Sequence, residues 1–174
     1  MWSVADGAKG RRWRSATTQA DGRLASALLL ETAPDGRLSR LELATGEGIL
    51  TLHPDGSPVR LHGNVVRQAG IDHIALPWSD VHALFVGDSP LTAAAAVAGL
   101  AARIGVGEER VVEAVEVGAD LRPRTTTWRV NRTGERGWRL QAAGGAASFE
   151  VALDTDGIPT AADGSSWPLE ADSR

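Results

Sequence analysis

Four histidines, His53, His62, His73 and His82, are the residues best suited to acid–base or metal chemistry. Imidazole titrates near neutral pH and ligates metals through a neutral nitrogen. None of the four stands in a His-x-His or His-x-x-x-His pairing, and cysteine is absent, so no metal and no cofactor is expected. Strand alternation decides what the histidines can do. If Leu61 and Val65 point inward, then Arg60, His62 and Asn64 point outward, and His73 lies opposite Ile74 and Leu76. On an ordinary sheet that is a solvated face. On a strongly curved sheet it encloses a ligand, to which Arg60, His62 and Asn64 offer a cation, a titratable base and an amide, with Asp72, Asp80 and His82 near enough to join. In that case His62 and His73 are the candidate catalytic groups.

Tryptophan is the second chemical signal. Six occur, at positions 2, 13, 78, 128, 138 and 167, in a chain with no tyrosine and two phenylalanines. Large rigid aromatics line apolar cavities, and they also fill cores short of other aromatics. Trp78, Trp128 and Trp138 are the candidate apolar walls. Arginine flanks tryptophan in Arg12-Trp13-Arg14, Trp128-Arg129 and Trp138-Arg139. Inward–outward alternation accounts for these neighbours, and a phosphate- or sugar-reading rim is the alternative.

Other motifs fall away on inspection. There is no Gly-x-Ser-x-Gly elbow. Gly105-Val106-Gly107 follows a helix instead of leading into one, so it cannot cradle a dinucleotide. Asp154-Thr155-Asp156-Gly157 begins like a calcium loop, but Ser165 stands where the closing glutamate is needed.

The elements that would position these residues are mostly strands. Asp-Gly pairs recur at 6–7, 21–22, 35–36, 55–56, 156–157 and 163–164, and glycine there suits the tips of hairpins. Period-two alternation between them predicts strands near 25–32, 38–44, 48–53, 58–68, 71–78, 82–86, 109–118, 125–132, 137–141 and 148–154. One helix is predicted, over 89–104. Ser89 or Asp88 would cap it, Pro90 suits its first turn, and Gly105 would end it in a left-handed conformation. Its run from Ala93 to Ala102 is apolar nearly all round, as in a buried helix. Small residues such as Ala94 and Ala98 let strands come close. The expected class is α+β, predominantly antiparallel β, with a curled sheet or β-roll wrapped around the Ala-rich helix.

Composition limits the partners. The chain has 174 residues, a formal charge of −4 and a pI near 5.5. A general phosphate-backbone binder needs a basic face, so nucleic acid is not an expected partner. Ala27-Leu28-Leu29-Leu30 is too short for a membrane span or a signal-peptide core, and a cytoplasmic location is expected. A single domain over 11–170 is expected, with loose ends at 1–10 and 171–174.

Three stretches carry a family likeness: Arg12-Trp13-Arg14, the junction from Phe85 to Thr92, and the ending from Phe149 to Pro159. Together they resemble a glycolipid-binding family with a curled β-roll related to bacterial lipoprotein-localisation factors. The resemblance implies a hydrophobic ligand held between sheet and helix. It supplies no catalytic residue. The leading expectation is therefore a binding protein for a lipid, glycolipid or similar amphiphile, with Arg60, His62, Trp78, Ala94, Ala98, Trp128 and Trp138 around the ligand. A small isomerase- or cyclase-like enzyme using His62 or His73 is the second reading. A structural or interaction module without a cavity is the third.

Overall fold

The computed structural model describes residues 1–56, 59–87, 89–145, 148–162 and 165–166. Seven strands form the first sheet in chain order: β1 (Trp2–Gly7), β2 (Gly10–Thr18), β3 (Leu24–Thr32), β4 (Leu38–Thr45), β5 (Gly48–Asp55), β6 (Arg60–Arg67) and β7 (Gly70–Pro77). Every neighbouring pair in it is antiparallel. A connection through Trp78 leads to β8 (Ala83–Val86), then helix α1 (Pro90–Leu100), then β9 (Glu109–Val117). Strands β8 and β9 pair in parallel, which obliges the chain to cross over, and α1 is the crossover. The second sheet continues as a meander through β10 (Pro123–Arg132), β11 (Gly137–Ala142), β12 (Ser148–Leu153), β13 (Pro159–Ala162) and β14 (Ser165–Ser166). Helix α1 contacts strands of both sheets, β2 from the first and β8, β12 and β13 from the second. The architecture is α+β, mostly antiparallel, with a curled sheet around the helix.

Cross-strand register explains the core. Trp13 pairs with Leu30, Leu30 with Leu41, and Leu41 with Leu52, which puts one buried row across four strands. The row continues to Gly63, where a Cβ would stand 1.8 Å from the Thr51 carbonyl oxygen. Only glycine lets β5 and β6 approach this closely. In the second sheet Trp128 stacks between Phe85 (centroids 4.2 Å apart) and Phe149 (5.7 Å), and its indole N–H has no partner among the described residues. Leu91, Ala93, Ala94 and Val97 of α1 are buried.

Several expectations need correction. No strand is legible before residue 25, yet β1 and β2 lie there, and residues 2–7 of the supposedly loose start are a strand. Strand β13 was not foreseen either, because Pro159 opens it and its alanines carry little alternation. The helix ends at Leu100, four residues short of the expected 104. Ser89 makes no side-chain cap. Thr92 instead ties the junction, accepting the Val86 N–H (3.2 Å) and donating to the Ser89 carbonyl (3.0 Å). Gly105 is not left-handed, and its N–H is taken by Glu108 Oε2 at 2.8 Å. Gly22, Gly36, Gly56 and Gly157 do have positive φ at Asp-Gly turns. Asp163-Gly164, Trp167, Asp88 and the tail 171–174 lie outside the described residues.

Candidate functional site

Five pieces of chain meet at one end of the molecule. They are the β1–β2, β3–β4, β10–β11 and β12–β13 turns and the C-terminal half of α1, and between them lies an open cleft of about 1050 Å³. Pockets that take small organic ligands run to about 300–1,000 Å³, so the space is ample. Its wall at this end of α1 is of small residues, Ala95, Ala98 and Gly99 in the helix and Ala101 and Ala102 just past it. Trp13 comes from the first sheet and Trp138 from the second.

Each tryptophan has a guanidinium over its ring. On β2, Arg11 and Trp13 are two apart and share a face, and the Arg11 Cζ stands 5.5 Å from the Trp13 ring centroid. On the other side Arg132 and Trp138 face each other across the β10–β11 ladder, with Cζ 5.2 Å from the centroid. Arg11 grips Asp6 with two hydrogen bonds, Nε to Oδ1 at 2.6 Å and Nη2 to Oδ2 at 2.9 Å. Its Nη1 donates to the Asp156 carbonyl at 2.5 Å, which joins the first sheet to the β12–β13 turn of the second. The hydrogen bonds from Arg11 hold the Asp6 carboxyl below its ordinary range, and the same pair raises Arg11. Arg132 has a different task. Its Nη1 donates to the carbonyls of Ala101 (3.2 Å) and Ile104 (3.1 Å) just past the end of α1, and Nη2 to Glu135 O (3.1 Å). Those carbonyls lack partners within the helix, and α1 has no basic residue in its last turn.

The turns are themselves fixed. Asp154 Oδ1 accepts the N–H groups of Asp156 and Ile158, both at 2.9 Å, and so closes the β12–β13 turn around Gly157. The β3–β4 turn lies directly on the helix, since a Cβ on Gly36 would stand 2.6 Å from Gly99 Cα. Two glycines facing each other permit this contact.

The sequence-predicted site residues divide between three places. Ala98 and Trp138 line the cleft. Ala94 and Trp128 are in the core and Trp78 is buried against His82, ring centroids 5.4 Å apart. Arg60 and His62 are on the outer face of the first sheet, where His53 pairs with His62 and Asn64 with His73. There His73 Nδ1 lies 2.6 Å from Asn64 Oδ1, and Arg60 bonds the Ala75 carbonyl at 3.4 Å. The outer face carries a shallow depression of about 300 Å³ at these histidines. Among the described residues no group of three or more histidine or acidic side chains could hold a metal. His82 is separate from the rest, with Nε2 2.8 Å from Glu113 Oε2.

Sequence reasoning missed Arg11, Arg132, Asp6 and the turn residues Glu135, Arg136 and Asp156. One signal was present: the Arg-x-Trp spacing at 11 and 13 puts both side chains on one face of a strand. The flanking arginines do what alternation predicts. Arg12 pairs outward with Glu31 (2.6 Å) and Arg139 with Glu150 (2.7 Å).

Two seven-stranded sheets, the second curled, joined through one crossover helix define a mostly antiparallel α+β fold. A solved example of this fold is a DUF1089 family protein from Pseudomonas aeruginosa, which superposes with a TM-score of 0.69 over 97% of this chain and 91% of that one. The two share 17% identity, so the likeness is one of fold. No protein-family profile and no curated protein sequence matches this chain. No helix among the described residues is long and apolar enough to cross a membrane.

Proposed function

We propose that this protein binds a hydrophobic or amphiphilic small molecule, of the lipid or glycolipid kind, in the cleft between the two sheets. The observation that carries the reading is the cleft itself: about 1050 Å³ walled by alanine and glycine at the end of α1, with Trp13 and Trp138 buried behind the Arg11 and Arg132 guanidiniums and charged turn residues at the rim. Such a lining suits a ligand with an apolar body and a polar end. The apolar part would lie along Ala98, Ala101 and Ala102. The polar end would meet the β10–β11 and β12–β13 turns. Binding is tested by titrating decyl maltoside below its micelle concentration and following tryptophan emission and calorimetric heat. Saturable binding at one site per chain, weakened by Ala98→Phe, is the expected outcome. Unsaturable heats, or equal affinity in the variant, would sink the reading. Native mass spectrometry of protein from its own host should show a copurified amphiphile.

A further inference from the structure

The outer face of the first sheet sorts its side chains by row. Toward the cleft end its outward residues are charged and pair among themselves, Arg12 with Glu31 and Arg40 with Glu42. At the other end, beside the β2–β3, β4–β5 and β6–β7 turns, polarity stops. Ala16 pairs with Ala27, Ala27 with Ala44, Ala44 with Ile49, Ile49 with Val66, and Val66 with Ile71, so one apolar row crosses six strands from β2 to β7. Along their strands these residues alternate with Leu28, Leu43, Leu50 and Val65, which are buried, so the row faces outward. Ile49 is 50% exposed, Val66 46% and Ile71 60%, which makes the larger half of the row open surface. A solvated sheet face is ordinarily polar, and alanine is depleted in strands. The row is also graded in size. Three alanines on β2, β3 and β4 leave a shallow trough, and three branched side chains on β5, β6 and β7 raise a ridge beside it.

We infer that this face docks a second copy of the chain, sheet against sheet, with the ridge of each copy lying in the trough of the other. A two-fold axis running with the strands between β4 and β5 turns β5–β7 of one copy over β2–β4 of the next, so each Ile or Val meets an Ala. That is the self-complementarity an isologous contact requires. A band six strands wide and three residue rows tall measures about 29 by 20 Å, so two copies cover about 1,200 Å² in all, the lower end of the range for specific interfaces. The charged rows then form a polar rim beside the apolar strip. A membrane or nucleic-acid surface fits the face less well, because either attracts a basic surface, whereas Arg12 and Arg40 are paired with glutamates and the chain carries a formal charge of −4.

Sedimentation equilibrium tests the contact, with circular dichroism melting to report that each variant is folded. The native chain should show a monomer–dimer equilibrium between about 1 μM and about 500 μM, as a contact of this size allows. Val66→Glu sets a charge on the ridge and should weaken dimerisation at least about tenfold. Ala27→Leu keeps the face apolar but fills the trough, and should weaken it about fivefold or more. Unspecific apolar association would instead be strengthened by that change. Val111→Glu, at an exposed position of β9 in the second sheet, should leave the equilibrium as it is. A chain that stays monomeric throughout, a dimer that Val66→Glu leaves intact, or one that Ala27→Leu strengthens would overturn the inference.

Discussion

The two arginine–tryptophan stacks on either side of α1 look alike and are built for different ends. Arg132 and Trp138 meet across a hairpin, and the guanidinium's Nη1 is spent on backbone carbonyls at the end of the helix. Carbonyls neither titrate nor move with salt, so this stack is part of the scaffold. Arg11 and Trp13 are neighbours on one strand, and the guanidinium there grips a carboxylate and reaches across to the other sheet. Asp6 is exposed, so this stack answers to pH and ionic strength. A cleft with one fixed wall and one conditional wall can admit a ligand without loosening the core.

Removing the fixed wall should cost most. Trp138→Ala deletes a buried indole, and a loss of about 3–5 kcal/mol in denaturant unfolding is expected. Arg132→Ala comes next, at about 2 kcal/mol, because it strands the Ala101 and Ile104 carbonyls; that loss should be the same in low and high salt. Arg11→Ala should cost about 1 kcal/mol or less, since its Asp6 pair is solvent-facing, and high salt should erase part of the difference. If Arg11→Ala proves the more damaging of the two, the distinction between the stacks is wrong.

Acid gives the finest separation. The folded-state pKa of Asp6 is lowered, chiefly by hydrogen bonds from Arg11, so the unfolded chain binds more protons at low pH and stability rises with pH there. The contribution is complete above the unfolded carboxyl value of about 3.9 and is lost as pH falls through the lower folded value. Asp120, beside Arg124, and Glu108, which accepts the Gly105 N–H, are lowered too and act in the same sense. Asp6→Asn should therefore lower stability modestly near neutrality, where the native contribution is complete, and flatten part of the stability slope below about pH 4, so that the two proteins converge in acid. An unchanged acid slope in Asp6→Asn would mean that the Arg11 stack does not depend on this carboxylate.

Much of the fold was legible because the leucine strands alternate cleanly. Leu41 and Leu43, Leu50 and Leu52, and Trp138 and Leu140 each mark one face, and all are buried. Strand β1 escaped because Trp2 and Val4 alone mark its inner face, too short a run to register as a period. The helix is legible, but not its ends: Ser89 holds the first cap position without a side-chain hydrogen bond, and Arg132, distant in sequence, takes the carbonyls past the helix end where a left-handed Gly105 was expected. The site was the least legible part. It is assembled from four turns and a helix end that are far apart in sequence, whereas three of the four histidines, His53, His62 and His73, share one outer face. Chemistry-bearing residue types were visible, but the topology that decides which of them converge was not.

Ligand affinity in matched variants tests the central claim most directly. Dissociation constants for decyl maltoside are compared among the native chain, Ala102→Trp on the exposed cleft wall just past α1, and His62→Ala on the outer face, with melting temperatures as a check on folding. The cleft account predicts that Ala102→Trp weakens binding by about tenfold or more, on the order of 1.4 kcal/mol, and that His62→Ala leaves it unchanged. Binding lost in His62→Ala and retained in Ala102→Trp would move the site to the histidine face and contradict the account.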